Sequence, residues 1–505
     1  IFSTNTIFPL ILEPSTSGAI NIQVDNSIIG FIEDNMIISS QDLPDNISVF
    51  LSSIGVDGNI LSGNLSGTYP SGIYRINGSL AIDSEDIVTL QPGTQFLFDG
   101  DYGFNINGTL QAIGTEADSI IFDNYSNEND KWVGFLLDSV DDGTIFEYVR
   151  ISGVHGIFEP SINGGGAMGM MDSSPIMNHV KINNNIGLWG AGIAMGWSSP
   201  TLNNVIISNN NSESWGGGLY IVGSNPTLNN VIVSGNTSNQ FGGGINIDGC
   251  GGISLDYVQV YGNIAEQGGG IYIGNSVATL NNVTVNDNYA QNDGSCTANE
   301  EEGESCGVGG GIYVTGAMAN LINVTISGNI AETFGGGTFF RQAGGLLIND
   351  ILWGNSPESI NIDNASVQVY HTNIQGGWES IGAVGENIGN INIDPMFTNS
   401  ENGDYTLQED SPCIDTGLAD LEETGIANIT NYYGMAPDMG AYEFYGGGSI
   451  IGDINLDGIV NVNDIVAVVN IIIGTGSYNP TADLNSDSII NVNDIVALVN
   501  IILDI

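Results

Sequence analysis

Gly216–Gly244 reads GGGLYIVGSNPTLNNVIVSGNTSNQFGGG, a stretch that opens and closes on the same glycine triplet 26 residues apart. Outward from it, triplets (one with an alanine) begin at Gly164, Gly190, Gly216, Gly242, Gly268, Gly309 and Gly335, in steps of 26, 26, 26, 26, 41 and 26. The long step holds an insertion, Gln291–Gly307, and counts as one period. A second landmark keeps the register: Val180, Val205, Val231, Val258, Val283, Val324 and Ile351. Five residues after each of the first six stands an asparagine: Asn185, Asn210, Asn236, Asn263, Asn288 and Asn329. Runs such as Val231-x-Val233 and Ile245-x-Ile247 alternate as strands do, and Asn, Gly and Ser-Pro turns separate them. Helical periodicity is absent before residue 452.

Short strands at a fixed period near 26 predict an all-β fold, a right-handed parallel β-helix. Each valine should sit above the last in a continuous core, and the asparagines should stack as an inward ladder that satisfies turn backbone. Glycine triplets are expected where the chain bends sharply or where rungs approach too closely for a Cβ. His179 falls where other rungs carry Asn204, Asn230 and Asn282, so it is expected to substitute in that column.

The charge is extreme: 57 acidic against 5 basic residues, a net −52. Nucleic acid is excluded as a partner, because phosphates would meet no basic patch. An anionic membrane surface or acidic polymer would be repelled unless calcium bridged the two. No apolar run is long enough for a membrane span. The start at Ile1 without Met reads as removal of a targeting segment. Cys296 and Cys306 flank TANEEEGES in the inserted loop, and a disulfide is expected to close it. Cys250 and Cys413 read as buried thiols. An extracellular or cell-surface location follows from these features.

Near the C-terminus a loop and helix occur twice. Asn461–Asn470 is NVNDIVAVVN and Asn491–Asn500 is NVNDIVALVN, each behind an acidic loop. The oxygen-bearing residues Asp453, Asn455, Asp457, Asn461 and Asp464 hold positions 1, 3, 5, 9 and 12 of a calcium loop. Asp483, Asn485, Asp487, Asn491 and Asp494 repeat the set, and position 7 gives the backbone carbonyls of Ile459 and Ile489. Two calcium ions are therefore expected as cofactors. The last ligand is Asp rather than Glu, Ser488 replaces the loop glycine, and no helix precedes either loop.

Loop-then-helix in duplicate resembles the type I dockerin module over about 452–505. The resemblance implies docking onto a cohesin-type partner through loop positions 10 and 11 and along the following helix, here Val462 and Asn463 with Val492 and Asn493 as the copy. Near-identity of the two faces implies docking in either of two orientations related by a half turn. The chain then divides into 1–63, a β cap or an extended arm; 64–445, the β-helix with its closing segment; 446–451, a Gly-rich linker; and 452–505, the dockerin-like module. The stretch Ile73–Asn124 resembles the first rungs of secreted β-helix proteins. Asp394–Phe397, Gly403–Tyr405, Ser411–Asp415 and Asp438–Glu443 resemble their closing segment.

No catalytic residues are assigned. Asp141-Asp142 is the adjacent aspartate pair of the body and reads as a solvated turn, Glu300–Glu302 lies in the inserted loop, and His155, His179 and His371 are isolated. Trp189 and Trp215, with Phe241 and Phe334 in later rungs, form an aromatic stripe that reads as a packed stack or as a glycan contact. Two functions stay open. One is a non-catalytic structural or adhesive rod whose calcium-loaded module docks onto a cohesin-like receptor or the next copy in a fibre. The other is a polysaccharide lyase or glycoside hydrolase carried into a multienzyme complex.

Overall fold

The computed structural model describes residues 2–4, 22–24, 30–38, 47–55 and 59–503, apart from 126–131, 157–165, 293–305, 379–380, 383–387, 446–451, 456–459, 474–478 and 486–489. Its body is a β-solenoid. Strands of successive rungs pair in parallel and in register, joining 33 described strands in one network. A representative rung contains Ile193–Gly196, Thr201–Asn203, Ile206–Ser208 and Asn211–Trp215. The next places Leu219 on Ile193, Leu228 on Leu202, Val233 on Ile207 and Ser238 on Ser212. Alternation explains the burial: Ile193, Met195, Leu202 and Ile207 point inward and are fully buried.

Between strands the chain turns at single residues with positive φ. One rung uses Trp197, Asn204 and Asn209; the next uses Gly223, Asn230 and Gly235. Asn, Asp and Gly dominate these corners because other residues lose about 1–2 kcal/mol in the left-handed region. Tyr148, His179, Trp197, Tyr257, Gln342 and His371 are the bulky exceptions. His179 shares the corner column of Asn204 and lies parallel to the Tyr148 ring at 4.5 Å. In the glycine triplets, Gly216 turns at φ 64°, while a Cβ on Gly217 would lie 2.3 Å from the Gly243 carbonyl oxygen.

The core column runs Val149, Val180, Val205, Val231, Val258, Val283 and Val324, then departs from expectation. Thr325 pairs with Ile351, so the residue above Val324 is Asp350, not Ile351. Asp350 is fully buried, accepts the Val324 N–H at 2.7 Å and donates its own N–H to Thr372 Oγ1 at 3.3 Å. Register here follows backbone pairing, and the column turns from valine to polar groups as the coil ends. Five residues on, Asn355 adds a seventh member to the asparagine ladder. Each amide from Asn185 to Asn329 donates to the next at 2.9–3.0 Å. Each also donates to a core carbonyl, as Asn263 does to Val233 O at 3.0 Å. A second ladder passes through Ser173, Ser198 and Ser224, and Cys250 occupies the equivalent place before Ser276. Cys250 and Cys413 are buried free thiols. Cys306 is disulfide-bonded, and Cys296 lies outside the described residues.

Parallel pairing begins where Ile60–Asn64 meets Gly72–Ile82. Ahead of it, Gly30–Ile38 and Ile47–Gly55 form an antiparallel hairpin. After the last rung the closing segment lies back along the coil. Leu421 packs on Leu346 and Ile348, Met439 and Cys413 pack on Ile351, and the Ala441 N–H reaches Thr325 Oγ1 at 2.9 Å. Two helices, α1 (Val462–Ile472) and α2 (Val492–Ile502), pack through Val468 and Leu498 with Ile454 and Ala482. Among the described residues no helix is long and apolar enough to cross a membrane.

Candidate functional site

The two helices begin alike because their N-termini carry the same four letters, Asn-Val-Asn-Asp. Asn461 and Asn491 cap them, each side chain accepting the N–H two residues on at 2.8 Å. Asp464 and Asp494 complete the capping boxes by accepting the N–H of Asn461 and Asn491 at 2.8 Å. The same carboxylates reach across their loops. Asp464 Oδ1 accepts from Ile454 at 2.7 Å and Asn455 at 2.9 Å, and Asp494 Oδ1 from Asn485 at 3.2 Å. Position 12 of the first loop thus gathers the backbone N–H groups of positions 2, 3 and 9. Asp457, Ile459, Asp487 and Ile489, at positions 5 and 7, lie outside the described residues. Among the described residues no three Asp, Glu, His or Cys side chains converge as a metal site.

The donor chemistry fits a hard cation. Asp464 and Asp494 are fully buried and Asp453 nearly so, yet residues 452–505 contain no Lys, Arg or His. Buried carboxylates without a cationic side chain are costly unless a counter-charge enters, and an all-oxygen set suits calcium.

Of the expected partner-binding residues, Val462 and Val492 are 64 % and 63 % exposed, and Asn463 and Asn493 are also exposed. The structure adds Val466 on α1 and Val496 on α2, with the C-cap residues Ile473 and Leu503 just past the helix ends, to the exposed apolar set. These helices are apolar on more than the face that their small core uses.

Elsewhere several charged groups are tied to structure. Asp141 and Asp142 are exposed, with Asp141 closing its own turn onto the Gly143 N–H at 3.0 Å. Arg75 pairs with Asp99, and Arg341 lies 3.7 Å from Asp363. Burial pushes Asp438 up to about 6, and burial with the neighbouring Asp438 charge pushes Glu443 up to about 7. Both carboxylates are engaged by backbone: Asp438 accepts from Asp415 and Phe444, and Glu443 from Asp438 and Tyr433. They stitch the closing segment. In the aromatic stripe, Trp189 and Trp215 stack at 5.7 Å and Trp215 and Phe241 at 6.2 Å, ring upon ring along the coil. His371 is held by the Thr416 carbonyl at 2.7 Å.

No family model, curated protein or solved structure matches this chain.

Proposed function

We propose that this is a non-catalytic structural or adhesive protein: a right-handed β-helix rod carrying a dockerin-like module that two calcium ions order. Asp453, Asn455, Asp457, Asn461 and Asp464 would hold the first ion with the Ile459 carbonyl. Asp483, Asn485, Asp487, Asn491 and Asp494 would hold the second with that of Ile489. Calcium supplies the positive charge that the module lacks. The ordered helices then present Val462, Val466 and Ile473, and their copies Val492, Val496 and Leu503, to a cohesin-type receptor or a neighbouring copy.

The observation that carries this reading is the doubled exposed apolar row above a doubled set of buried aspartates. An apolar row in water is unfavourable unless a partner covers it. The disulfide at Cys306 supports an extracellular setting. Light scattering on the full chain and on a truncation at Gly452, in calcium and then in EDTA, tests assembly between copies. Calcium-dependent oligomers that truncation abolishes would identify self-assembly; monomers throughout would direct the search to a separate receptor. Calorimetric titration should find two calcium sites, and absence of calcium binding would remove the proposal.

A further inference from the structure

One sheet of the solenoid has an outward face unlike the others. Its strands read Thr-Leu-Asn at Thr201–Asn203, open Thr227–Ser234 with the same letters, and end Val277–Asn281 with them again. The leucines are buried, so the threonines and asparagines point out. Parallel pairing puts Thr201 beside Thr227 and Asn203 beside Asn229, at the rung spacing of about 4.8 Å. Ser254 and Asp256 take the same places in the rung between, next to Thr279 and Asn281. Side-chain bonds hold the row still: Asn229 donates to Asn203 at 2.8 Å, Asn203 to Asn178 at 2.9 Å, and Asn281 to Asp256 at 3.1 Å. The result is an ordered lattice of hydroxyls and amides with one carboxylate, Asp256, which also accepts from the Ser254 hydroxyl at 2.7 Å.

Two exposed aromatic residues border this lattice, one on each edge. Trp197 is 57 % exposed at the corner before Thr201, and Tyr257 is 54 % exposed at the corner after Asp256. Both have φ near +50° in columns where most rungs place Gly, Asn or Asp. Trp197 therefore combines backbone strain with an exposed indole, which packs against Gly223 of the next rung. Beyond it, Gly249, Gly251 and Gly252 have open space where a Cβ would stand, leaving a bare shelf.

The same face changes character along the rod. On the later strand Gly344–Ile348 its outward positions become Leu346 and Ile348, and there the chain's own segment covers it through Leu418, Leu421, Ile426 and Ile429. The covered strand carries Leu346 and Ile348 at the places where the rungs of Thr201, Thr227 and Thr279 carry threonine and asparagine, although Val277 and Met318 at one margin are apolar and exposed. The outward positions of the open rungs carry no basic residue, and the whole chain is at −52, so an anionic polymer is disfavoured.

We propose that this open face binds a neutral polysaccharide chain. Sugar rings stack on Trp197 and Tyr257, and sugar hydroxyls exchange hydrogen bonds with the Thr/Asn lattice between them. Aromatic faces beside ordered polar groups match the amphipathic surface of a pyranose ring. This site is separate from the C-terminal module and does not depend on its reading.

Affinity electrophoresis of the full chain, and of the Gly452 truncation, tests it in gels containing hydroxyethylcellulose, mixed-linkage β-glucan, galactomannan or polygalacturonate. The expected result is retardation in at least one neutral gel, none in polygalacturonate, and the same behaviour after truncation. The variant W197N/Y257N should weaken retardation at least tenfold. Asparagine suits both corners, so its melting temperature should stay level or rise by roughly 1–3 °C, separating lost binding from lost fold. No retardation in any neutral gel, retardation unchanged in the double variant, or retention by polygalacturonate alone would each overturn the proposal.

Discussion

Asn263 and Asp464 are both buried polar side chains, one in the solenoid body and one in the C-terminal module, and their partners differ in kind. The Asn263 amide has its bonds made inside the coil: to Val233 O and Asn288 Oδ1, and from the Asn236 backbone and side chain. Neighbouring rungs supply those partners, so the ladder is complete without any ligand. Asp464 has backbone donors but carries a charge that no side chain of residues 452–505 can balance. A long coil buries its core by repetition, while a module of two 11-residue helices has little apolar interior to draw on. The body is therefore expected to stand alone and the module to depend on its ion.

Chelation should break the pair most completely. In EDTA the helical signal of the module and its calorimetric transition should vanish while the body's transition stays in place. A module that melts identically with and without calcium would erase the contrast. Within the body, Asn263→Ala leaves the Asn236 N–H without its acceptor and takes one donor from the Val233 carbonyl, and should cost about 2 kcal/mol in chemical denaturation. A loss of only a few tenths would mean that water replaces the ladder.

The body has its own buried charge in Asp350, whose carboxyl burial pushes well above the usual carboxylate range and whose Oδ2 has no hydrogen-bond partner. The folded state holds this proton more tightly than the unfolded chain, so its contribution is fully present in acid and falls as pH rises. Asp350→Asn keeps an acceptor for the Val324 N–H and should stabilise the body by roughly 1–3 kcal/mol at pH 7, with little gain near pH 4. An equal gain at both pH values would show that the carboxyl does not titrate differently on folding.

The smallest effect concerns the closing segment. With Asp438 pushed up to about 6 and Glu443 to about 7, its stability is greatest below about pH 4 and declines as pH rises through 7. Hydrogen exchange across 394–445 should quicken over that interval beyond the intrinsic rate. Calcium binding runs the other way, strengthening as carboxylates deprotonate. Body and module should therefore respond to pH with opposite signs, and parallel responses would refute the assignment of these groups.

The solenoid was legible because its signals repeat: a glycine triplet, a valine and an asparagine at one period leave few alternatives. Legibility failed where a single position had to carry the register. Ile351 looks like the next valine, but Asn329 stacking on Asn355 requires Asp350 there, and hydrophobicity alone does not reveal that a column ends in a carboxyl. The calcium-loop spacing was visible as a pattern, whereas the extra exposed residues Val466, Ile473, Val496 and Leu503 required knowing which helix face the small core uses. The path of the closing segment had no sequence signal, since its contacts, such as Ala441 with Thr325, join residues far apart in the chain.

The sequence by itself determined the period, the strand alternation, the doubled loop and helix and the absence of cationic side chains from the module. Each of these is local or repeats at fixed spacing, so each is decided within a few tens of residues. Only the tertiary structure decided that Asp350 replaces a core valine, that Asp438 and Glu443 stitch the closing segment, and that Trp197 and Tyr257 border one polar face. Burial, pairing register and shared surfaces depend on which distant segments come to lie together.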